Sequence, residues 1–338
     1  MRRVRRKQKF PAPLTLTAKS VKVPDIRQKP LARAGAPARR SKEETGMNAE
    51  IGTAGIAGKE RIALVVGLGL IGGSVAMALR GFEEYAVVGT DKSAAVRAFA
   101  AEHGVCDAVA ERAEDVLPKA DTVIFAMSPA GIAAQLRRFR DDFKPGALVT
   151  DVGGVKTAVM EAAESLPDTV DFIGCHPMAG KEVSGIENAE KALFAGAHFI
   201  LTPGARSTRE HIALMERMGK HMGFRDTVIT TPAEHDALIA YTSQLMHIIA
   251  AATCDDDALF RCRGFEGGSF RGCTRVAALD VPLWTELFTM NRPALCACLR
   301  TLESNLHAYL EVLESGDTEA LRRKLAYSAA RKRKMDLE

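Results

Sequence analysis

The segment RIALVVGLGLIGGSVAMALRG, residues 61 to 81, restricts the fold more than any other part of this 338-residue chain. Residues 61 to 66 form a near-continuous apolar run, the pattern of a parallel strand buried on both faces. Gly67, Gly69 and Gly72 follow in G-x-G-x-x-G spacing and open a helix from about Leu70 to Arg80. In that pattern the glycines allow a tight turn and a close approach of backbone to a pyrophosphate, which then faces the helix N-terminus at Leu70, Ile71 and Gly72. A glycine loop alone is a weak signal, so its context matters. YAVVGTD supplies a second strand ending in Asp91, nineteen positions past Gly72, where an acid meets the adenosine ribose hydroxyls. Asp91 favours NAD over NADP, whose extra phosphate it would repel, and Lys92 beside it keeps NADP open. Asp91 also reads as a helix N-cap before KSAAVRAFAAEH, a role compatible with the cofactor contact.

The alternation continues along the chain. DTVIFAMSP reads as a strand whose end, at Ser128, joins the cofactor set, and AGIAAQLRRFRDDF reads as a helix. GALVTDV is a strand, VKTAVMEAAESL a helix, and DFIGCHP and AHFILTP are strands. Strands and helices alternating over short connections imply an α/β fold with a Rossmann-type, doubly wound parallel sheet. From TPAEHDALIAYTSQLMHIIAAAT onward the pattern becomes long helices. The expected organisation is a dinucleotide-binding domain over residues 60–230 and an all-helical substrate and dimerisation domain over residues 231–330. The long apolar helices of that second domain call for more cover than one copy supplies, which predicts a homodimer.

Charge is unevenly placed. Residues 1–46 carry 14 Lys/Arg against 3 Asp/Glu, which leaves 32 basic and 39 acidic residues for the body. This extension is Arg-rich and Pro-studded without an apolar stretch long enough for a secretory signal, and it reads first as a disordered tail. A transit peptide or a nucleic-acid arm shares that composition, but no aromatic interleaving or nucleic-acid motif accompanies the charge. No run of 18 apolar residues is present, so a membrane span is not expected. The seven cysteines form no Cys-x-x-Cys pair and no array at metal-ligand spacing. They read as reduced thiols of a cytoplasmic protein that uses no metal.

His176 closes the strand DFIGCHP at the edge where open α/β sheets hold their ligands. A neutral imidazole there can accept a hydroxyl proton, which hydride removal from an alcohol requires. Taken singly, a histidine before proline is more often structural. Taken singly, too, Arg275 reads as a surface charge, Trp284 as a core residue and His247 as part of a helix face. Lys156 reads either as a surface charge at a helix start or as an anion contact near the cofactor.

Together, however, GLGLIGGS, DVGGVKT, HPMAGKEVSG, YTSQLMH and GGSFRGCTRVAALDVPLWTELFTMNR resemble the prephenate dehydrogenase family, with its arogenate-using relatives, from about residue 60 to 325. The resemblance implies an oxidative decarboxylation in which hydride leaves the ring carbon bearing the hydroxyl, carbon dioxide departs and a 4-hydroxyphenyl product forms. It implies His176 as the catalytic histidine, Arg275 as the holder of the substrate carboxylate and His247 as a further active-site histidine. Trp284 lines the pocket, Glu182 pairs with the arginine region, and Gly154, Ser243 and Gly268 complete the substrate-binding set. The chain departs from the family pattern at three positions. Gly154 replaces a serine that helps orient the catalytic histidine, Gln244 a histidine, and Gly272 an aspartate. These departures leave open arogenate as substrate, or a catalytically impaired NAD-binding regulatory protein.

Overall fold

The computed structural model describes residues 58–337, so the basic extension at 1–46 lies outside the described residues. The order of elements is β1 (Arg61–Val66), α1 (Leu70–Leu79), β2 (Tyr85–Thr90), α2 (Ala94–Glu102), β3 (Ala108–Val109), β4 (Thr122–Phe125) and α3 (Pro129–Arg138). The chain continues through β5 (Leu148–Asp151), α4 (Thr157–Ala163), β6 (Asp171–Pro177), β7 (His198–Pro203), α5 (Arg209–Met222) and β8 (Asp226–Ile229). These strands form one eight-stranded sheet in the order β3-β2-β1-β4-β5-β6-β7-β8.

The strands of the first six positions run parallel. Alternate residues of β1 enter different cores, Ala63 and Val65 on one face and Leu64 and Val66 on the other. A strand sandwiched this way needs apolar residues at every position, which is why RIALVV carries no period of two. Strand order reverses between β1 and β4, the switch point at whose carboxyl edge a doubly wound sheet holds its ligand.

The sheet departs from the all-parallel expectation at β7, which is antiparallel to β6, while β8 is again parallel to β7. The cause lies in residues 178–197, which contain only the short 3₁₀ turns Ile186–Asn188 and Lys191–Phe194. A parallel return needs a crossover that carries the chain back to the far edge of the sheet, usually as an α-helix. Without one the chain re-enters from the edge it left. The fourteen-residue α5 then provides a crossover for β8.

Behind the carboxyl edge of β5 and β6 lies a buried ion pair. The Lys156 ammonium contacts Asp151 Oδ2, both side chains being fully buried, and donates to the Cys175 carbonyl at 2.6 Å. Asp151 also accepts from the amides of Gly153 at 2.7 Å and Cys175 at 3.2 Å. Lys156 is therefore neither a surface charge nor an anion contact of the cleft, because its charge is committed to Asp151. Burial together with the Asp151 charge pushes the Cys175 thiol up to about 12, so it stays protonated.

The helical part comprises α6 (Pro232–Ile239), a π-helical turn at Ala240–Gln244, α7 (Leu245–Cys254), α8 (Gly268–Thr274), α9 (Val281–Met290), α10 (Arg292–Ser315) and α11 (Thr318–Leu337). Thr231 caps α6 by accepting from the Glu234 amide at 3.2 Å, with Pro232 in the first turn. Pro232–Cys254 runs as one helical rod of 23 residues that is long and apolar enough to cross a bilayer by length and composition alone. Its buried His235, Asp236 and Gln244 are instead bonded to the sheet domain and to α9 and α10, as an interdomain helix requires.

Breaking a buried pair leaves an uncompensated charge in a dry site. Lys156→Met is expected to lower unfolding free energy by about 3–5 kcal/mol, read from urea denaturation. Lys156→Met with Asp151→Leu should recover only part of that loss, because two backbone amides lose their acceptor as well.

Candidate active site

The loops at the carboxyl edges of β1, β2 and β4 gather the expected cofactor residues. Gly67 adopts φ +95°, and a Cβ there would stand 2.4 Å from the Ala126 carbonyl oxygen, so the loops after β1 and β4 touch. At Gly72 a Cβ would lie 1.9 Å from the Gly67 carbonyl oxygen, which fixes glycine at this position. Gly69, by contrast, faces open space. Helix α1 starts there with no side-chain cap and no acid in its first turn, leaving the amide end at Leu70, Ile71 and Gly72 for an anion. Asp91 follows β2 and accepts from the amides of Leu68 at 2.9 Å and Ser93 at 2.8 Å, which ties it to the glycine turn. Ser128 caps α3 through a 3.3 Å bond from the Gly131 amide. An open space beside an uncapped helix end, flanked by a carboxylate, fits a dinucleotide.

His176 stands at the carboxyl end of β6 with its ring half-buried. Its Nδ1 lies 2.9 Å from His235 Nε2, and His235 Nδ1 lies 2.8 Å from Asp236 Oδ1. Asp236 in turn accepts from the Lys156 amide at 2.7 Å and the Thr157 amide at 2.9 Å, at the start of α4. Burial alone would raise this carboxyl, but the hydrogen bonds from His235 and from Lys156 and Thr157 hold it below its ordinary value. The His176 ring is driven well below the usual histidine value by burial first, then by His235 and the Lys156 charge. It is a neutral base at neutral pH.

Helix α9 reaches this region from the other side of the cleft. Leu287 lies where a Cβ on Gly154 would be 3.3 Å from its Cδ2, so the side chain of Leu287 occupies the space beside that glycine. One turn earlier Trp284 stacks on His247 with ring centroids 3.6 Å apart. His247 Nδ1 lies 3.0 Å from the Ser243 carbonyl, so its Nδ1–H donates there, and burial lowers its affinity for a second proton. Glu286, between Trp284 and Leu287, accepts from the Ala130 amide at 2.7 Å and thereby joins α9 to the first turn of α3.

Arg275 follows α8 and pairs with Glu182 in the segment after β6; both side chains are more than half exposed. The pair ties the end of α8 to the segment that follows the His176 strand. Gly268 begins α8, and Gly268 and Gly272 both face open space. Gln244, where the family pattern has histidine, donates to the Leu287 carbonyl at 3.3 Å and accepts from Asn291 Nδ2 at 2.8 Å. Asn291 also donates to the Asp236 carbonyl at 2.8 Å.

Sequence reasoning missed His235, Asp236, Asn291 and Glu286. The one available signal was the adjacent pair His235-Asp236, three and four residues past the proline of a capped helix start.

A doubly wound sheet with a glycine turn at an uncapped helix start, joined across its ligand-binding edge to a helical domain, defines a dinucleotide-binding protein of two domains. The nucleotide-binding domain of prephenate dehydrogenase matches residues 75–228, and the dimerization domain of the same family matches residues 231–327. The chain belongs to the prephenate dehydrogenase family. It is 32% identical over 239 residues to the prephenate dehydrogenase of Bacillus subtilis, an alignment spanning 68% of this chain and 64% of that protein. The solved structure of Synechocystis arogenate dehydrogenase is 29% identical, with a TM-score of 0.71 over 81% of this chain and 99% of that one. Prephenate dehydrogenase from A. aeolicus, solved with hydroxyphenyl propionate and NAD+, is 26% identical, with a TM-score of 0.72 over 82% of this chain and 98% of that one.

The depressed His176 affinity has a consequence for stability. An unfolded histidine begins to take a proton as pH falls through about 6.5, whereas the folded His176 does so only well below that. The unfolded state then binds more protons, so stability falls as pH drops from about 6.5 toward the folded value. Urea unfolding at pH 7.5 and pH 5.5 should show this loss, and His176→Gln should reduce it.

Proposed function

We propose that the protein is a prephenate dehydrogenase that uses NAD to convert prephenate into 4-hydroxyphenylpyruvate and carbon dioxide. The observation that carries this reading is the neutral His176 at the carboxyl end of β6, on the same edge of the parallel sheet as a glycine turn and helix end suited to a dinucleotide. Its family membership supports the substrate.

Gly67, Gly69 and Gly72, with the amides at Leu70 and Ile71, would hold the pyrophosphate, Asp91 the ribose, and Ser128 the nicotinamide side of the crevice. The nicotinamide, when bound, supplies the hydride acceptor. His176 accepts the ring hydroxyl proton as the adjacent carbon gives up hydride. When the ring carboxylate leaves as carbon dioxide, the bonding pair flows round the ring to the oxygen, which takes the proton back from His176. Aromatisation drives the step forward. Arg275 fixes a substrate carboxylate through a planar guanidinium fork, exchanging Glu182 for the incoming anion. His247 and Trp284 form a stacked wall of the substrate pocket, with Ser243, Gly154 and Gly268 around it.

The second reading is arogenate as substrate, in which an amine replaces the side-chain keto group; the likeness to the Synechocystis enzyme favours it. Purified protein offered prephenate and arogenate, each with NAD and NADP, should reduce NAD with prephenate fastest. Reduction only with arogenate would transfer the reading to that substrate, and tight NAD binding without any turnover would make the chain a binding protein. His176→Asn should lower kcat by about 10²–10⁴-fold with NAD affinity unchanged, and Arg275→Ala should chiefly raise KM.

The same reading makes the protein a cytoplasmic homodimer. All seven cysteines are free thiols. Leu306, Leu310 and Leu313 of α10 are exposed in i, i+4, i+7 spacing, and α8 and α11 bury no residue within one chain. Sedimentation should give twice the chain mass, and a monomer would contradict the assignment.

A further inference from the structure

His176 can act as a base only if the ring nitrogen facing the cleft carries a lone pair, and a neutral imidazole has one such nitrogen. Which nitrogen it is follows from the bonds behind the ring. The Asp236 carboxylate, held ionised by the amides of Lys156 and Thr157, can only accept hydrogen bonds. His235 Nδ1, 2.8 Å from Asp236 Oδ1, must therefore carry the His235 proton, which leaves a lone pair on its Nε2. That lone pair faces His176 Nδ1 at 2.9 Å, so His176 must donate from Nδ1. The remaining nitrogen of His176, Nε2, is left bare.

We propose that His235 and Asp236 are positioning residues that set the tautomer of His176, leaving Nε2 as the atom that takes the substrate proton. The inference rests on His176 being the base of the proposed reaction. Lys156 cannot replace this pair, because its ammonium is held by Asp151 and the Cys175 carbonyl. Nor is there a hydroxyl at position 154 to orient the ring, and the Leu287 side chain stands beside the site where one would begin. The arrangement also accommodates the charge that follows. Once Nε2 has taken a proton, the Nδ1 proton can move to His235 Nε2 along the existing bond, which brings the positive charge onto the ring bonded to Asp236. When the proton returns to the product oxygen the movement reverses.

The direct test is the imidazole nitrogen spectrum of ¹⁵N-histidine-labelled protein at neutral pH, assigned through His176→Gln. The expected signature is His176 protonated on Nδ1 with an unprotonated Nε2. Finding its proton on Nε2 would overturn the proposal, whatever the activity. In the second arm His235→Ala should lower kcat by about 10²-fold or more with KM changed less than about twofold. His235→Gln, whose Oε1 can still accept from His176 Nδ1, should restore most of that loss. Wild-type kcat in His235→Ala would also sink the idea. If neither prephenate nor arogenate is oxidised while His176 shows the Nδ1–H signature, the substrate reading fails and the tautomer assignment stands.

Discussion

The structure depends on one buried carboxylate. Asp236 sits near the start of α6 and turns its oxygens toward the start of α4, where the amides of Lys156 and Thr157 have no partner within their own helix. An anion at a helix start is favoured by the helix dipole, and one that is nearly dry needs every lone pair occupied. Those requirements are met jointly by two backbone amides and the His235 ring. Because α4 belongs to the sheet domain and α6 to the helical one, the same bonds that satisfy Asp236 also fix the two domains about the cleft. Asn291 extends the tie by donating to the Asp236 carbonyl and to Gln244, so the base of α10 is registered on the same point.

Lys156 connects this junction to a second buried charge. Its amide serves Asp236 and its ammonium serves Asp151, so one residue carries the carboxyl edge of β5 and the root of α6 together. The loop that allows this has little room for side chains. A Cβ on Gly153 would fall 2.9 Å from Asp151 Oδ2, and one on Gly154 3.3 Å from Leu287. Gly154 is met by α9, whose Leu287 fills the space beside it with an apolar side chain. Orientation of His176 then comes from behind the ring, through His235.

The sheet was legible because its chemistry is local. An unbroken apolar strand, a glycine turn and an acid after the next strand each leave their mark within a few residues, and the parallel strands from β1 to β6 follow from them. The reversed direction of β7 was not legible, since it depends on the absence of a helix in residues 178–197, a stretch that looks like any long connection. Lys156 was misread for a related reason. A lysine at a helix start is normally solvated, and only the three-dimensional return of β6 beside β5 encloses it with Asp151. His235 and Asp236 were visible as residues but not as a site, because their partner His176 is 59 positions away. Distances of that kind are set by the sheet, and single-sequence patterns carry no trace of them.

Exposure separates the ion pairs of Lys156 and Arg275 into different kinds. Lys156 and Asp151 are wholly buried, so parting them would strand a charge at a cost of several kcal/mol, and no incoming anion can compete for that ammonium. Arg275 and Glu182 are each more than half in water, where an ion pair is worth only about 0–1 kcal/mol. Glu182 can then give way to another carboxylate at little cost, and the fork of Arg275 gains a bidentate partner in return. A weak surface pair is thus better suited to capturing an anionic substrate than the strong buried one. The proposed function draws on that difference, with a fixed pair beneath the carboxyl edge of the sheet and an exchangeable one at the surface.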